Sequence, residues 1–149
     1  MLKVMKNKEI RIILKDIENQ FDCGIKGEYL FLKNPNKPRV YITSPNYKEI
    51  PKESLRINNT GLYFGTIEKD GFRLSIEGSE LLDKPKKNVF ELSDEEFEAY
   101  MAGENLRVDL EEKAYKIIKY KSKFIGSGKL SNNTLFNYVP KQRRAKEKL

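Results

Sequence analysis

The sequence predicts an α+β protein made of two small domains. An apolar stripe at helical spacing is followed by two hairpin patterns, and a short polar segment broken by proline then interrupts the chain. After this segment a second helix signal is followed by three strand-like segments. The chain has 149 residues, of which 38% are hydrophobic, and this length suits one average domain or two small ones.

The first predicted element is a helix over residues 6–22. Its apolar residues recur three and four positions apart, as one face of an α-helix requires, and they are Ile10, Ile13, Leu14, Ile17 and Phe21. Gly24 follows directly and predicts the end of the helix, because glycine is a common residue just beyond a helix C-terminus.

Two β-hairpins are predicted after this helix. Residues 28–33 and 39–43 are aromatic and β-branched runs, and the five residues between them include two prolines and two asparagines. Residues 62–68 and 71–77 flank an Asp-Gly pair, which readily adopts the positive φ angles of a tight turn. Residues 78–82 form at most a short helix.

Residues 83–88 predict a domain boundary, because they are polar, charged and interrupted by Pro85. The predicted domains are therefore residues 1–84 and 85–149. A strand over residues 89–92 leads into a capping box, Ser93 to Glu96, which opens a helix that ends before Gly103. Three predicted strands follow, at residues 115–121, 124–130 and 134–139.

The residue types exclude most catalytic sites. The chain has no histidine and one cysteine, Cys23, so Cys/His zinc sites and histidine-based triads are impossible within it. Gly126-Ser127-Gly128-Lys129 has strand-like sequence on both sides and does not match a phosphate-binding loop. We expect no catalytic residues, no metal site and no cofactor. No uninterrupted apolar run approaches the roughly 18 residues needed to span a bilayer, so we also expect a cytoplasmic protein with no membrane partner.

Positive charge is concentrated at the C-terminal end. Residues 1–110 contain 18 Lys and Arg against 19 Asp and Glu, whereas residues 111–149 contain 11 against 3. A segregated basic segment indicates a polyanionic partner, with nucleic acid favoured over an acidic protein or an anionic membrane. Aromatic residues are interleaved with these cations, as single-stranded or looped RNA requires, although each ring could instead pack in the core: Tyr115, Tyr120, Phe124, Phe136 and Tyr138.

Several motifs together resemble a PUA-type RNA-binding domain over roughly residues 88–144. They are LSDEEF at residues 92–97, YMAGENL at 100–106, YKIIKY at 115–120, IGSGKL at 125–130 and LFNYVPK at 135–141. The pattern is similar to the PUA domain at the C-terminus of RNA cytosine-5 methyltransferases and in small archaeal relatives without the catalytic domain. The resemblance implies a PUA-like β-barrel, or pseudo-barrel, that binds RNA. Gln142 departs from the pattern, which usually has glycine there.

Residues 55–65, LRINNTGLYFG, resemble the small α/β pre-PUA domain that precedes PUA in ribosome-biogenesis factors. This resemblance implies a pre-PUA-like α/β domain followed by the PUA-like β-barrel. Residues 1–53 contain no motif that adds to it.

Two sets of residues are candidate RNA contacts. The resemblance to PUA domains implies Gly103, Glu104, Arg107, Asn137, Tyr138, Lys141 and Arg143. The basic charge of the segment adds Lys119, Lys121, Lys123, Lys129 and Arg144. The alternative for Gly103 is a purely structural role, in which the glycine serves only to end the helix.

We therefore expect a non-catalytic RNA-binding protein that acts in rRNA or tRNA maturation or in ribosome biogenesis. Its expected partners are rRNA or tRNA, with ribosome-assembly proteins as further candidates. The alternatives are a protein–protein adaptor in ribosome assembly and an accessory subunit of an RNA-modifying enzyme.

Overall fold

The computed structural model describes residues 2–45 and 61–144, which form two five-stranded sheets and three helices. The first sheet has the order β1-β2-β3-β4-β5, with every neighbouring pair antiparallel. Its strands are β1 Lys3–Val4, β2 Leu30–Lys33, β3 Arg39–Thr43, β4 Leu62–Glu68 and β5 Gly71–Leu74. Both predicted hairpins, β2–β3 and β4–β5, are therefore present. Residues 46–60, which include the first six residues of the LRINNTGLYFG motif, and the last five residues of the charged tail lie outside the described residues.

Helix α1, Asn7–Phe21, covers the first sheet with the apolar stripe that predicted it. Ile13, Ile17 and Phe21 are buried among the side chains of the sheet. The helix ends at Asp22, which takes a left-handed conformation with φ 54°, so the stop precedes the predicted Gly24. Aspartate is one of the few residues besides glycine that adopts this conformation at low cost.

The side chain of Gln20, near the end of α1, acts as an extra partner for strand β5. Its amide donates to the carbonyl of Phe72 at 2.9 Å and accepts from the Phe72 N–H at 2.8 Å. The backbone carbonyl of Gln20 accepts from the Asn88 side chain at 2.6 Å. Hydrogen bonds thus join the end of the helix to two segments that are distant from it in the sequence.

Strand β5 is shorter than the predicted 71–77. Ser75 ends it, because the Ser75 hydroxyl accepts a hydrogen bond from the Gly78 N–H at 2.9 Å and caps helix α2, Ile76–Glu80. The chain therefore turns into a helix three residues before the predicted strand end. The short helix predicted at 78–82 exists but begins earlier.

The second sheet curls into a half-barrel with the order β6-β8-β9-β10-β7. Strand β6 pairs in parallel with β8, and the remaining pairs are antiparallel. The elements are β6 Val89–Glu91, α3 Asp94–Met101, β7 Leu106–Arg107, β8 Ala114–Tyr120, β9 Lys123–Ser131 and β10 Thr134–Phe136. The predicted capping box is present, with Ser93 Oγ accepting from the Glu96 N–H at 3.1 Å. Gly126 has φ +89° in the middle of β9.

Strand β10 stops at Phe136, whereas the pattern predicted a strand to residue 139. The side chain of Asn137 accepts from the N–H of Val139 at 2.8 Å and so replaces the ladder bond that a longer strand would need. A 3₁₀ turn, Lys141–Arg143, follows.

The two halves share one of the hydrophobic cores. The first core contains α1 and the first sheet, but it also includes Tyr115 and Ile117 of β8. The second core lies between α3 and the half-barrel, with Tyr100, Ile118 and Leu130 fully buried. Strand β8 therefore supplies side chains to both cores. The division into residues 1–84 and 85–149 stays a prediction.

Candidate nucleic-acid interface

Several basic side chains of the C-terminal region are already paired within the protein. Lys116 is 8% exposed and donates to Asn88 at 2.9 Å and to Glu112 at 3.0 Å. Lys129 pairs with Asp70, and Arg143 pairs with Glu77 at 2.7 Å. Lys116 lies in the basic segment after residue 110, but its burial leaves the ammonium group no room for RNA.

Lys129 belongs to a small polar cluster between the two halves. Asp70, in the turn between β4 and β5, accepts from Lys129 and from the Tyr115 hydroxyl at 2.8 Å. The hydrogen bond from Lys129 lowers the pKa of Asp70, and the same bond raises the pKa of Lys129. Burial, reinforced by Asp70, raises the pKa of Tyr115. This cluster joins the halves, and it neutralises one of the predicted RNA contacts.

Three predicted contacts lie at the tip of the β8–β9 hairpin, and we call them the hairpin-tip lysines: Lys119, Lys121 and Lys123. None forms an ion pair with another residue among those described, and Lys121 lies over the Tyr120 ring with Nζ 5.3 Å from the centroid. Helix α3 begins beside this tip, since the Tyr120 hydroxyl donates to Asp94 at 2.6 Å. The first turn of α3 is acidic, so the tip is bordered by negative charge.

The set implied by the resemblance gathers at the other end of α3. We call this surface the loop patch: Gly103, Glu104, Arg107, Asn137, Tyr138, Lys141, Arg143 and Arg144. Its first three members lie in or beside the loop after α3, and the other five lie in the segment that follows β10. The loop patch and the hairpin-tip lysines lie near opposite ends of α3, an eight-residue helix with a length of about 12 Å.

Asn137 connects the two segments of the loop patch. Its side-chain amide donates to the carbonyls of Tyr100 at 2.6 Å and Glu104 at 2.9 Å. Its backbone N–H donates to the side chain of Asn105 at 2.9 Å. Because the side-chain oxygen is also bonded, to Val139, Asn137 holds the loop in place and has little capacity left for reading a base.

Gly103 is covered by an arginine. It has φ +97°, and a Cβ built on it would lie 2.7 Å from Cδ and Nε of Arg144. The Arg144 guanidinium is held there by a hydrogen bond from Nε to the carbonyl of Val139 at 3.0 Å. The absent side chain thus makes room for Arg144 of this protein itself. The glycine therefore serves both the helix end and this contact.

The five aromatic residues divide into buried and exposed. Tyr115 lies in the first core, Phe124 packs against it, and Tyr120 stacks on Phe97 with centroids 3.8 Å apart. Phe136 and Tyr138 are 39% and 37% exposed, while Leu135 before them and Val139 after them are buried. Two rings of the five are therefore available to stack with bases.

Arg73 lies beside the loop patch although no sequence signal indicated it. It comes from β5, and its Cζ lies 4.1 Å from the centroid of the Tyr138 ring. The contact joins residues of the two halves, and no local spacing or motif could have predicted it.

Other kinds of site are not indicated in the described part of the chain. Residues 2–45 and 61–144 contain no group of three acidic, cysteine or histidine side chains placed to hold a metal. Burial raises the pKa of the half-buried Cys23 thiol, which makes it less reactive. No helix within these ranges has the length and apolar character to cross a bilayer.

The C-terminal region is a curled five-stranded sheet packed against one short capped helix, with basic and aromatic residues around the C-terminal end of that helix. Residues 87–145 match the family model described as the methyltransferase RsmF PUA domain. The C-terminal region is therefore a PUA domain, a type of domain that generally binds RNA. No curated protein matches the chain. The pre-PUA assignment of the N-terminal half stays a prediction.

Proposed function

We propose that this protein is a non-catalytic RNA-binding protein that acts in rRNA or tRNA maturation. The observation that carries the proposal is the PUA domain at residues 87–145, whose loop patch combines cations with an exposed aromatic ring. Arg107 and Lys141 are exposed and form no ion pair with another described residue. The phosphates of the RNA would bind these cations, and unpaired bases would stack on Tyr138.

Salt dependence of RNA affinity tests this proposal. If binding neutralises roughly three to five phosphates, the log–log slope of affinity against salt should be about −2 to −4.5. The probes are a tRNA and a short single-stranded oligoribonucleotide. Affinity that is absent, or that does not change with salt, would contradict the proposal.

Single alanine substitutions test which cations contribute. R107A and K141A should each reduce the magnitude of the salt slope by about one and weaken the binding of all RNAs to a similar degree. K116A is the matched control, since Lys116 is buried; it should lower stability and leave the salt slope unchanged. A variant of the hairpin-tip lysines, K119A/K123A, should have a smaller effect than R107A/K141A because the acidic start of α3 lies beside the tip.

Crosslinking in cells followed by sequencing of the bound RNA tests the biological role. Enrichment of rRNA or tRNA precursors is the expected result. Enrichment of messenger RNA alone would leave RNA binding in place and contradict the role in maturation.

A second candidate function is an accessory subunit of an RNA-modifying enzyme. It is favoured because the matching family model is that of a domain from a methyltransferase. Affinity purification after ribonuclease treatment distinguishes the two, because a protein partner of this kind would remain bound when the RNA is gone.

A further inference from the structure

A cleft of about 220 Å³ lies between the N-terminal half and the segment that follows β10. Its walls come from β5 and α2 on one side and from β9 and the residues around Pro140 on the other. The residues that matter here are Arg73, Glu77, Tyr138, Gln142 and Arg143. Neither half of the chain alone would form this cleft.

One wall of this interdomain cleft is a preorganised flat surface. The Arg73 guanidinium lies 4.1 Å from the centroid of the Tyr138 ring, and its Nε is fixed by the carboxylate of Glu68 at 2.8 Å. The ion pair with Glu68 holds the guanidinium, so little freedom is lost when a further ring stacks. Tyr138 is still 37% exposed, which leaves part of its surface open to a ligand.

The other polar groups of the cleft suit a base and one phosphate. Gln142 is exposed, and its amide, which has both donors and an acceptor, bonds to no other described residue. Arg143 is 45% exposed and forms an ion pair with Glu77. Surface ion pairs of this kind contribute little to stability, so Arg143 can exchange Glu77 for another anion. Arg73 and Arg143 are each balanced by a glutamate, so the cleft has no strong excess of positive charge.

Size and charge together restrict the ligand. The volume is below the roughly 300 Å³ at which pockets begin to enclose whole small molecules. Balanced charge disfavours a free polyphosphate, whereas stacking and an amide favour a flat heterocycle with polar edges.

We propose that the interdomain cleft binds a single unpaired nucleotide of the RNA, and this inference rests on the proposed function. The base stacks against the Tyr138–Arg73 pair, Gln142 contacts its polar edge, and Arg143 leaves Glu77 to bind the adjoining phosphate. The RNA site is then composite, because Arg73 belongs to the N-terminal half.

The first experiment measures RNA affinity for R73K, Y138A and Q142A in the full chain. R73K keeps the charge and loses the planar group, so its dissociation constant should rise about five- to tenfold, as should that of Y138A. Y138F, which keeps the ring, should bind as the wild type does. R11K is the matched control, since Arg11 is exposed on α1 and lines no part of the cleft; its affinity should not change.

The second experiment maps binding with the four ribonucleoside 5′-monophosphates by ¹H–¹⁵N NMR. The Arg73 Nε–H, the Gln142 side-chain amide and the Gly126 amide should shift on titration, and Q142A should reduce the differences among the four nucleotides. Shifts confined to the hairpin-tip lysines would overturn the inference.

The outcomes separate the two proposals. If wild-type protein binds RNA, R107A weakens it, and R73K, Y138A and Q142A all bind as wild type does, the composite cleft is wrong and RNA binding by the loop patch stands. If wild-type protein binds no RNA, both proposals are wrong.

Discussion

The β8–β9 hairpin has two faces that differ in chemistry. The inner face, toward the first sheet, mixes apolar side chains with polar bonds: Ile117 is fully buried, Ser127 Oγ accepts from the Leu74 N–H at 3.0 Å, and Lys129 meets Asp70. The outer face, toward α3, is apolar, with Ile118 and Leu130 fully buried.

This difference shows that only some of the charged side chains in a segment are accessible to a binding partner. Lysines on the inner side of the hairpin, or next to an acidic neighbour, are neutralised within the fold. Those in the loop patch without an ion pair remain available. The excess of positive charge after residue 110 therefore overstates the electrostatic footprint.

Truncation of an aliphatic side chain on either face of the hairpin should strongly reduce stability. I117A and I118A should each reduce the free energy of unfolding by about 2–4 kcal/mol, because both side chains are fully buried. Urea denaturation of the full-length variants provides the values, and each should show a single transition. A loss below about 1 kcal/mol for I117A alone would mean that the inner face contributes little and that the halves are only loosely joined.

A smaller effect is expected at the loop patch. G103A should cost about 1–3 kcal/mol, because φ +97° disfavours alanine and the new Cβ meets Arg144. R144A should relieve the clash but not the backbone strain, so the double variant should be more stable than the two single losses predict. Strict additivity would contradict the contact between Gly103 and Arg144.

The Asp70 cluster should make a modest contribution that depends on pH. Because the folded-state pKa of Asp70 is lowered, its contribution is present above about pH 3.9, the unfolded value, and is lost as the pH falls through the lower folded value. At neutral pH, D70N should be less stable than wild type by about 0.2–1 kcal/mol. Thermal unfolding followed from neutral to acid pH should show the gap closing below about pH 4; a constant gap would contradict the ion pair.

The smallest effect is expected for Y100F. The Tyr100 hydroxyl is buried and makes no hydrogen bond with acceptable geometry to any described residue. Its removal should therefore change stability by less than about 0.5 kcal/mol. Y100A, measured in parallel by urea denaturation, should lose about 3–5 kcal/mol because it removes the whole ring from the second core. A large loss for Y100F would reveal a bond from the hydroxyl.

Elements with strong local signals could be predicted from the sequence. The apolar stripe predicted α1, the turn residues predicted both hairpins, and the capping box at Ser93 predicted α3. Strands β1 and β7 have two residues each and carry no periodicity, so no pattern could reveal them. The strand pattern includes Ser75, because the capping role of this residue depends on the position of the Gly78 N–H in the folded chain.

The candidate site likewise contains some residues that local motifs predicted and some contacts that no motif could predict. The motifs brought together the residues that surround the loop after α3, because these motifs reflect one local arrangement. Pairing across the halves could not be predicted: Arg73 with Tyr138, Lys129 with Asp70 and Arg143 with Glu77 all join residues more than fifty positions apart. Charge counting treats those cations as free until their partners are known.

The bonds of Gln20 have a consequence for how the chain folds. Its partners Phe72 and Asn88 lie 52 and 68 residues further along, so α1 leaves the ribosome long before the strands that hold it. A fifteen-residue helix is only marginally stable alone in water, and closing such long loops slows folding. We expect α1 to fluctuate on the nascent chain and to dock late, with folding of the released protein on the order of milliseconds or slower.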